Sequence, residues 1–380
     1  MSNWQVLSGS AAYYRQQSCV EIGSGSTIPG RDRDSVSGIS SVAGAQAEPR
    51  FGQAVHCLGS VPVGRRAVLR LGATAAVLTA GATGLPTRAI AASKVLRIGV
   101  QKYGTLVILR ERQALEPLLA KLGWSVDWTE FPGGPQLLEA LNVGDLDFGT
   151  TGEAPPVFAQ AAGAPLVYVG VEPPSPKGEA ILVPQDSPLT SVAGLRGKRV
   201  ALNKGSNVHY LLLQALKSAG LVPADIESVF LTPADARAAF EQGAVDAWVI
   251  WDPFFAAGQA VTRARVLTDA VGLAPNRQFF LATKTFAEAR PALLKLVMTA
   301  ILATDQWAEQ HQDEVAKMLQ PSLKLPLPVI ATALARMGYG VGPMTAEVAA
   351  DQQRIADAFY DLRLIPARVA IQDALWSPPS

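Results

Sequence analysis

Cysteine is almost missing from these 380 residues: Cys19 and Cys57 both fall in the first sixty, and none follows. From residue 92 onward this excludes a thiolate nucleophile, a disulfide framework and sulfur ligands for zinc. Histidine is nearly as scarce, with His56, His209 and His311, a poor supply for a metal site. Charge of one sign is also lacking. Of 33 basic and 32 acidic residues, 8 and 4 precede residue 92, which leaves 25 and 28 and a net charge of −3. Such a chain offers no basic footprint for nucleic acid or an anionic membrane surface, so an anion site in it must be made from local dipoles. No long apolar run is present either; the stretch ending at Leu85 is short and rich in Gly and Ala, unlike a spanning segment.

What is present divides near residue 91. Residues 1–60 are rich in Gly, Ser and Gln without apolar period, as in an unstructured extension. Residues 61–91 hold Gly64-Arg65-Arg66-Ala67-Val68-Leu69-Arg70, a moderately apolar run and Ala89-Ile90-Ala91. Paired arginines, an h-region and an Ala-x-Ala site are the layout of a twin-arginine export signal, cleaved near Ala91 to leave a periplasmic protein. Gly64 and Val68 stand where that pattern has Ser or Thr and Phe. With no methionine between Met1 and Met298, a translation start near Val61 or Val63 is expected.

Beyond residue 91 apolar strands alternate with helical patterns. Val95 to Val100 reads as a strand, Leu106 to Leu122 as a helix, Val126 to Phe131 as a strand, Gly133 to Val143 as a helix, and Asp147 to Thr150 as a strand. This alternation predicts a largely parallel α/β sheet covered on both faces. The pattern recurs: Leu141, Gly144, Asp147 and Phe148 have counterparts at Phe240, Gly243, Asp246 and Ala247-Trp248. In each, an apolar helix residue precedes a C-cap glycine, a tight turn and a strand that starts at an aspartate. The reading is two α/β lobes around a ligand cleft, joined by two crossovers placed at Ala180 to Val183 and around Leu273 to Phe280. Lobe one comprises 92–182 and 275–380, and lobe two 183–274. The helices over Pro291 to Gln310, Val329 to Met337 and Thr345 to Asp361 are expected to pack on lobe one without chemical duty.

Ala201 to Tyr210, ALNKGSNVHY, is the stretch around which the rest is arranged. A short strand, a Lys204-Gly205 turn and an N-capping Ser206 or Asn207 would open a helix whose free N–H groups and dipole can receive an oxyanion. An ordinary capped surface helix has the same local pattern. With TTGEAPPVFAQAAGA, QKYGTL and PADARAAFEQGAVDAWVIWDPF, this stretch resembles the aliphatic sulfonate-binding proteins of bacterial ABC importers, relatives of the taurine- and nitrate-binding proteins. The resemblance runs from about Val95 to near the C-terminus. It implies a type II periplasmic-binding-protein fold, capture of an alkanesulfonate without catalysis or cofactor, and a permease and ATPase as partners. Taurine, sulfate esters, nitrate or another small anion stand as alternative ligands, and an enzyme on the same two-lobed fold as an alternative class. A monomer is expected.

A sulfonate carries three acceptor oxygens and an apolar tail, so its site needs donors at one end and walls at the other. Donors are available at Ser206 and Asn207, at Thr151 and Gly152 in the other lobe, and at Gln101 with Thr105. Walls are available at Tyr103, Trp248 and Trp251. Trp248 suits a core position equally well, and Asp252 a helix cap before Pro253. Glu153 would repel an anion and reads better as a first-turn acid of its helix. His209 suits packing as well as ligand contact. A Ser206, His209 and Asp252 triad would put nucleophile and base on one helix turn, outside any nucleophile-elbow pattern. No group with a pKa between 6 and 8 is required, His209 excepted, and Lys204 is expected to matter less than Asn207.

Overall fold

The computed structural model describes residues 94–377; the extension over 1–60, the signal over 61–91 and the cleavage site near Ala91 lie outside them. In chain order come β1 (Lys94–Val100), α1 (Thr105–Glu111), α2 (Glu116–Ala120), β2 (Trp124–Glu130), α3 (Gly134–Asn142), β3 (Phe148–Gly152), α4 (Ala154–Ala161) and β4 (Leu166–Val171). The single helix expected over Leu106 to Leu122 is two. Pro117 lies in the first turn of α2, where its missing N–H costs nothing, whereas inside a continuous helix it would remove a bond and clash with the preceding turn.

The chain then enters a second sheet: β5 (Glu179–Val183), β6 (Arg199–Leu202), α5 (Asn207–Ser218), β7 (Glu227–Phe230), α6 (Pro233–Glu241), β8 (Ala247–Trp251), α7 (Phe254–Val261) and β9 (Arg265–Asp269). It returns through β10 (Gln278–Thr283) and ends in α8 (Lys284–Ala289), α9 (Pro291–Gln310), α10 (Gln312–Leu323), α11 (Leu327–Leu334) and α12 (Ala346–Asp361). The strand orders are β2-β1-β3-β10-β4 and β7-β6-β8-β5-β9. Each sheet therefore has one strand that arrives from the other lobe, and each of these, β10 and β5, runs antiparallel to both neighbours.

This pairing moves the expected crossover. Ala180 to Val183 is not a linker but part of β5, whose Glu179 to Leu182 pair with Trp251 to Trp248. An apolar run reads as a strand from its residues, yet nothing in it says to which sheet it belongs. The chain leaves the first sheet after β4, so the connections lie within 172–178 and 270–277.

β3, β4 and β5 are buried along their whole lengths, as strands covered on both faces must be. One apolar cluster packs α1 and α9 on the first sheet through Leu106, Leu109, Leu294 and Ile301; another packs α6 and α7 on the second through Phe240, Trp248 and Phe255. A third runs between the lobes, joining Leu137 and Val157 to Val208, Leu211 and Phe359. α11 also reaches the second lobe, where Val329 and Ala333 meet Ala256 and Ala257 of α7. The C-terminal helices thus pack on both lobes, contrary to the expectation that they serve the first alone.

Candidate functional site

The carboxyl ends of the central strands face each other, and four helices begin there: α1 after Gly104, α4 after Glu153, α5 after Ser206 and α7 after Pro253. Open α/β sheets bind ligands at these ends because unpaired first-turn amides and helix dipoles collect there. The cleft encloses a cavity of about 60 Å³.

Seven of the expected site residues line it: Gln101, Tyr103, Gly152, Ser206, Asn207, Trp251 and Asp252. Ser206 is the N-cap of α5, but its hydroxyl donates back to the Asn203 carbonyl at 2.7 Å. Asn207 spans the lobes. Its Oδ1 accepts from the Ala154 N–H at 3.3 Å and its Nδ2 donates to Asn276 Oδ1 at 2.8 Å. That side chain lies against Gly152, where any Cβ would overlap it, so glycine is what lets the second lobe's amide approach the first.

The other five are placed elsewhere. Thr105 is buried between two carboxylates and Thr151 donates to the Gly152 carbonyl. Trp248 is fully buried, in tilted contact with Phe240, so its core reading holds. Glu153 turns away from the cleft, and its Oε2 accepts from the Arg277 N–H in the second connection. Burial pushes its carboxyl up to about 7 despite that bond. His209 sits among Phe158, Phe230 and Phe359, and its Nδ1 accepts from the Gly205 N–H at 3.3 Å. Burial, and then the charge of Lys204, lower its pKa to about 4. With the Ser206 hydroxyl and this ring nitrogen committed to the backbone, the three groups of a hydrolytic triad are not joined.

Other lining residues had no local signal. Ser175 and Gly178 come from the first connection and Asn276 from the second, with Gln278 opening β10; such residues reach the cleft only because the chain crosses it twice. Glu172 lines it from the end of β4. Arg336 lies in the turn after α11, in a segment expected to have no chemical role. Its guanidinium lies 4.1 Å from the Phe255 ring centroid, donates to Gln259 at 2.7 Å and approaches both Asp252 oxygens at 3.4 Å. Asp252 is 2% exposed; burial pushes it up to about 6, against the opposing pull of Arg336 and the Ala256 N–H. The cleft therefore contains a fixed cation, where an anion site made of neutral groups was expected. Tyr103, Trp251, Pro155 and Met337 supply the apolar walls.

Two α/β lobes, two crossing connections and a cleft at the strand ends define the fold of a type II periplasmic binding protein. The NMT1/THI5-like family model matches residues 120–315. An aliphatic sulfonates-binding protein of Escherichia coli is 47% identical over 304 residues, which is 79% of this chain and 95% of that one. The crystal structure of the periplasmic aliphatic sulphonate binding protein SsuA from Escherichia coli matches with a TM-score of 0.69 and 46% identity, over 76% of this chain and 94% of its own. The alkanesulfonate-binding protein SsuA of Xanthomonas axonopodis pv. citri, bound to MOPS, matches with a TM-score of 0.71 and 44% identity, over 75% and 99%. The chain belongs to the NMT1/THI5-like family, together with these sulfonate-binding relatives.

Proposed function

We propose that this protein is an exported solute-binding protein that captures aliphatic sulfonates in its cleft and delivers them, unchanged, to the permease and ATPase of an ABC importer. Kinship with the two sulfonate-binding proteins over nearly their whole lengths supports the ligand class. The observation that carries the reading is that the N-termini of α1 and α5, one from each lobe, meet Arg336 in a cleft also lined by Tyr103, Trp251 and Met337. Amide dipoles and a guanidinium suit three equivalent acceptor oxygens; the walls suit a chain that water solvates poorly. In this reading Gln101, Gly152, Ser206 and Asn207 surround the head group, and the Asp252–Arg336 pair sits beside it. The twin-arginine signal would place the protein in the periplasm.

Calorimetric titration with 1-butanesulfonate, taurine, sulfate and nitrate tests this. Butanesulfonate is expected to bind most tightly; preference for taurine, sulfate or nitrate would reassign the ligand, and mass analysis showing desulfonated product would make the protein an enzyme. Asn207→Ala is expected to weaken butanesulfonate binding about tenfold or more, since it removes the amide that ties α5 to Ala154 and Asn276. Lys204→Ala should cost less, because an ammonium in a turn is screened by salt.

A further inference from the structure

Thr105 Oγ1 lies 2.7 Å from Glu172 Oε1 and 2.9 Å from Asp305 Oδ1. All three residues are buried. A hydroxyl has one hydrogen, so it can donate to one of these carboxyl groups and must accept from the other. One of the pair therefore carries a proton. Asp305 is the better anion, because its Oδ2 also accepts the backbone N–H groups of Gly340 and Val341. The proton then belongs on Glu172, which donates to Thr105, which donates to Asp305. Glu172 lines the cleft at the start of the first connection, and its own N–H donates to the Gln278 carbonyl near the second.

We propose that Glu172 is held as a neutral carboxylic acid through Thr105 and Asp305, and that the cleft accepts an anion only while Glu172 keeps this proton. The proposal rests on the reading of the cleft as an anion site. Ionised Glu172 would set a second negative charge beside a sulfonate where water is excluded, and the repulsion there is far larger than in bulk water. Burial first, and then the charge of Asp305, push the Glu172 carboxyl up to about 8.

The groups facing this relay do not replace its proton. Tyr103 before α1 and Tyr339 after α11 are pushed upward by burial and stay neutral. Asp252 at the start of α7 is paired with Arg336. Glu309 on α9 adds negative charge near Asp305, which further favours the protonated relay. His209, lowered to about 4, stays neutral across the range in question. Anion binding should hold Glu172 protonated to higher pH. Affinity is then full below about 8 and falls above it, because each binding event must take up a proton that the free protein has released.

Titration with 1-butanesulfonate between pH 6 and 9.5, in two amine buffers of different ionisation enthalpy, reads this directly. The expected result is constant affinity at the acid end, a loss of about tenfold per pH unit above pH 8, and uptake approaching one proton per ligand. Glu172→Gln should abolish that slope, and Asp305→Asn should move its midpoint down by about a unit. A flat profile without proton uptake, or affinity that rises with pH, overturns the proposal. If the parent binds no butanesulfonate at any pH, the anion reading fails instead. The relay is then judged by carboxyl carbon-13 titration of Glu172 in the protein alone: a midpoint near 8 supports it, and one in the ordinary carboxylate range overturns it.

Discussion

At the carboxyl end of β3 stand Gly152 and Glu153; at the same place on β8 stand Trp251 and Asp252. The lobes share one strand order, and both matched strands follow a glycine with positive φ, Gly144 and Gly243, but their ends are used differently. Lobe one offers a surface without a side chain, into which Asn207 fits, and turns its acid toward the second connection. Lobe two offers an indole wall and turns its acid toward Arg336. A duplicated scaffold thus supplies unlike halves of one cleft.

The largest effect is expected where that difference is removed. Gly152→Ala puts a methyl where the Asn207 amide lies, and that amide cannot move without giving up Ala154 and Asn276. The same two hydrogen bonds are lost as in Asn207→Ala, with a methyl forced between the lobes besides, so butanesulfonate affinity should fall at least as far as in that variant, by about tenfold or more. Small-angle scattering should also show wider separation of the lobes. Trp251→Phe, which keeps the wall on the other side, should cost less than about tenfold. Equal losses from the two would mean that the lobes are not specialised in this way.

A smaller effect concerns the buried acids at the connections. Both carboxylate oxygens of Glu179 at the start of β5 lack a hydrogen-bond partner, as does Glu153 Oε1. Burial, and then Glu153, hold Glu179 well above the ordinary range. For groups raised in this way the folded protein keeps protons that the unfolded chain has released. Their stabilisation is full below about 4.5 and is lost as pH rises through about 7 for Glu153. His209 works in the opposite sense: lowered to about 4, its contribution is present above 6.5 and lost as pH falls through 4. Melting temperature is therefore expected to rise from pH 8.5 to about 5 and to turn over below that. Glu179→Gln should flatten the alkaline limb and raise the melting temperature at pH 8. Stability that climbs steadily toward pH 8.5 would show these acids to be ionised and paired.

The sequence made the lobes legible because their signals are local: apolar period, C-cap glycine, and an aspartate before each strand. Gly152, Ser206 and Asn207 were legible because a helix N-terminus has a recognisable residue pattern. Asn276 and Glu172 were not, since each reaches the cleft only through the path of the chain between lobes, nor was Arg336, which reaches it only because α11 packs on α7. Glu153 misled for the same reason. It opens a helix as an acid should, yet its partner is an N–H more than a hundred residues away. Trp248 and Ile250 alternate on one strand in a pattern that serves core and cleft alike, and only the packing of α6 decides between them.

At the other end of the sheets the lobes differ in degree. Asp147 accepts from the Arg97 N–H at 2.9 Å and pairs with its guanidinium at 2.7 and 3.1 Å, while that guanidinium also donates to the Gly144 carbonyl. Asp246 accepts the Arg199 N–H at 2.8 Å, but the Arg199 guanidinium reaches the Gly243 carbonyl at 3.5 Å. Both aspartates pin the turn before a central strand to the neighbouring strand, far from the cleft. The hydrogen bond to Asp147 is the leading cause of the raised Arg97 pKa, but Arg97 is 42% exposed, so solvent screens much of that pair. The remaining difference is a bidentate charged contact against a single backbone bond. Asp147→Ala should therefore cost about 2 kcal/mol and Asp246→Ala about 1, read as shifts in urea midpoint at unchanged slope. Butanesulfonate affinity should change less than about twofold in either, because neither residue touches the cleft. An equal cost would mean that the Arg97 ion pair adds nothing to its backbone bond; a loss of binding would mean that these turns set the positions of Gly152 and Trp251 at the far ends of their strands.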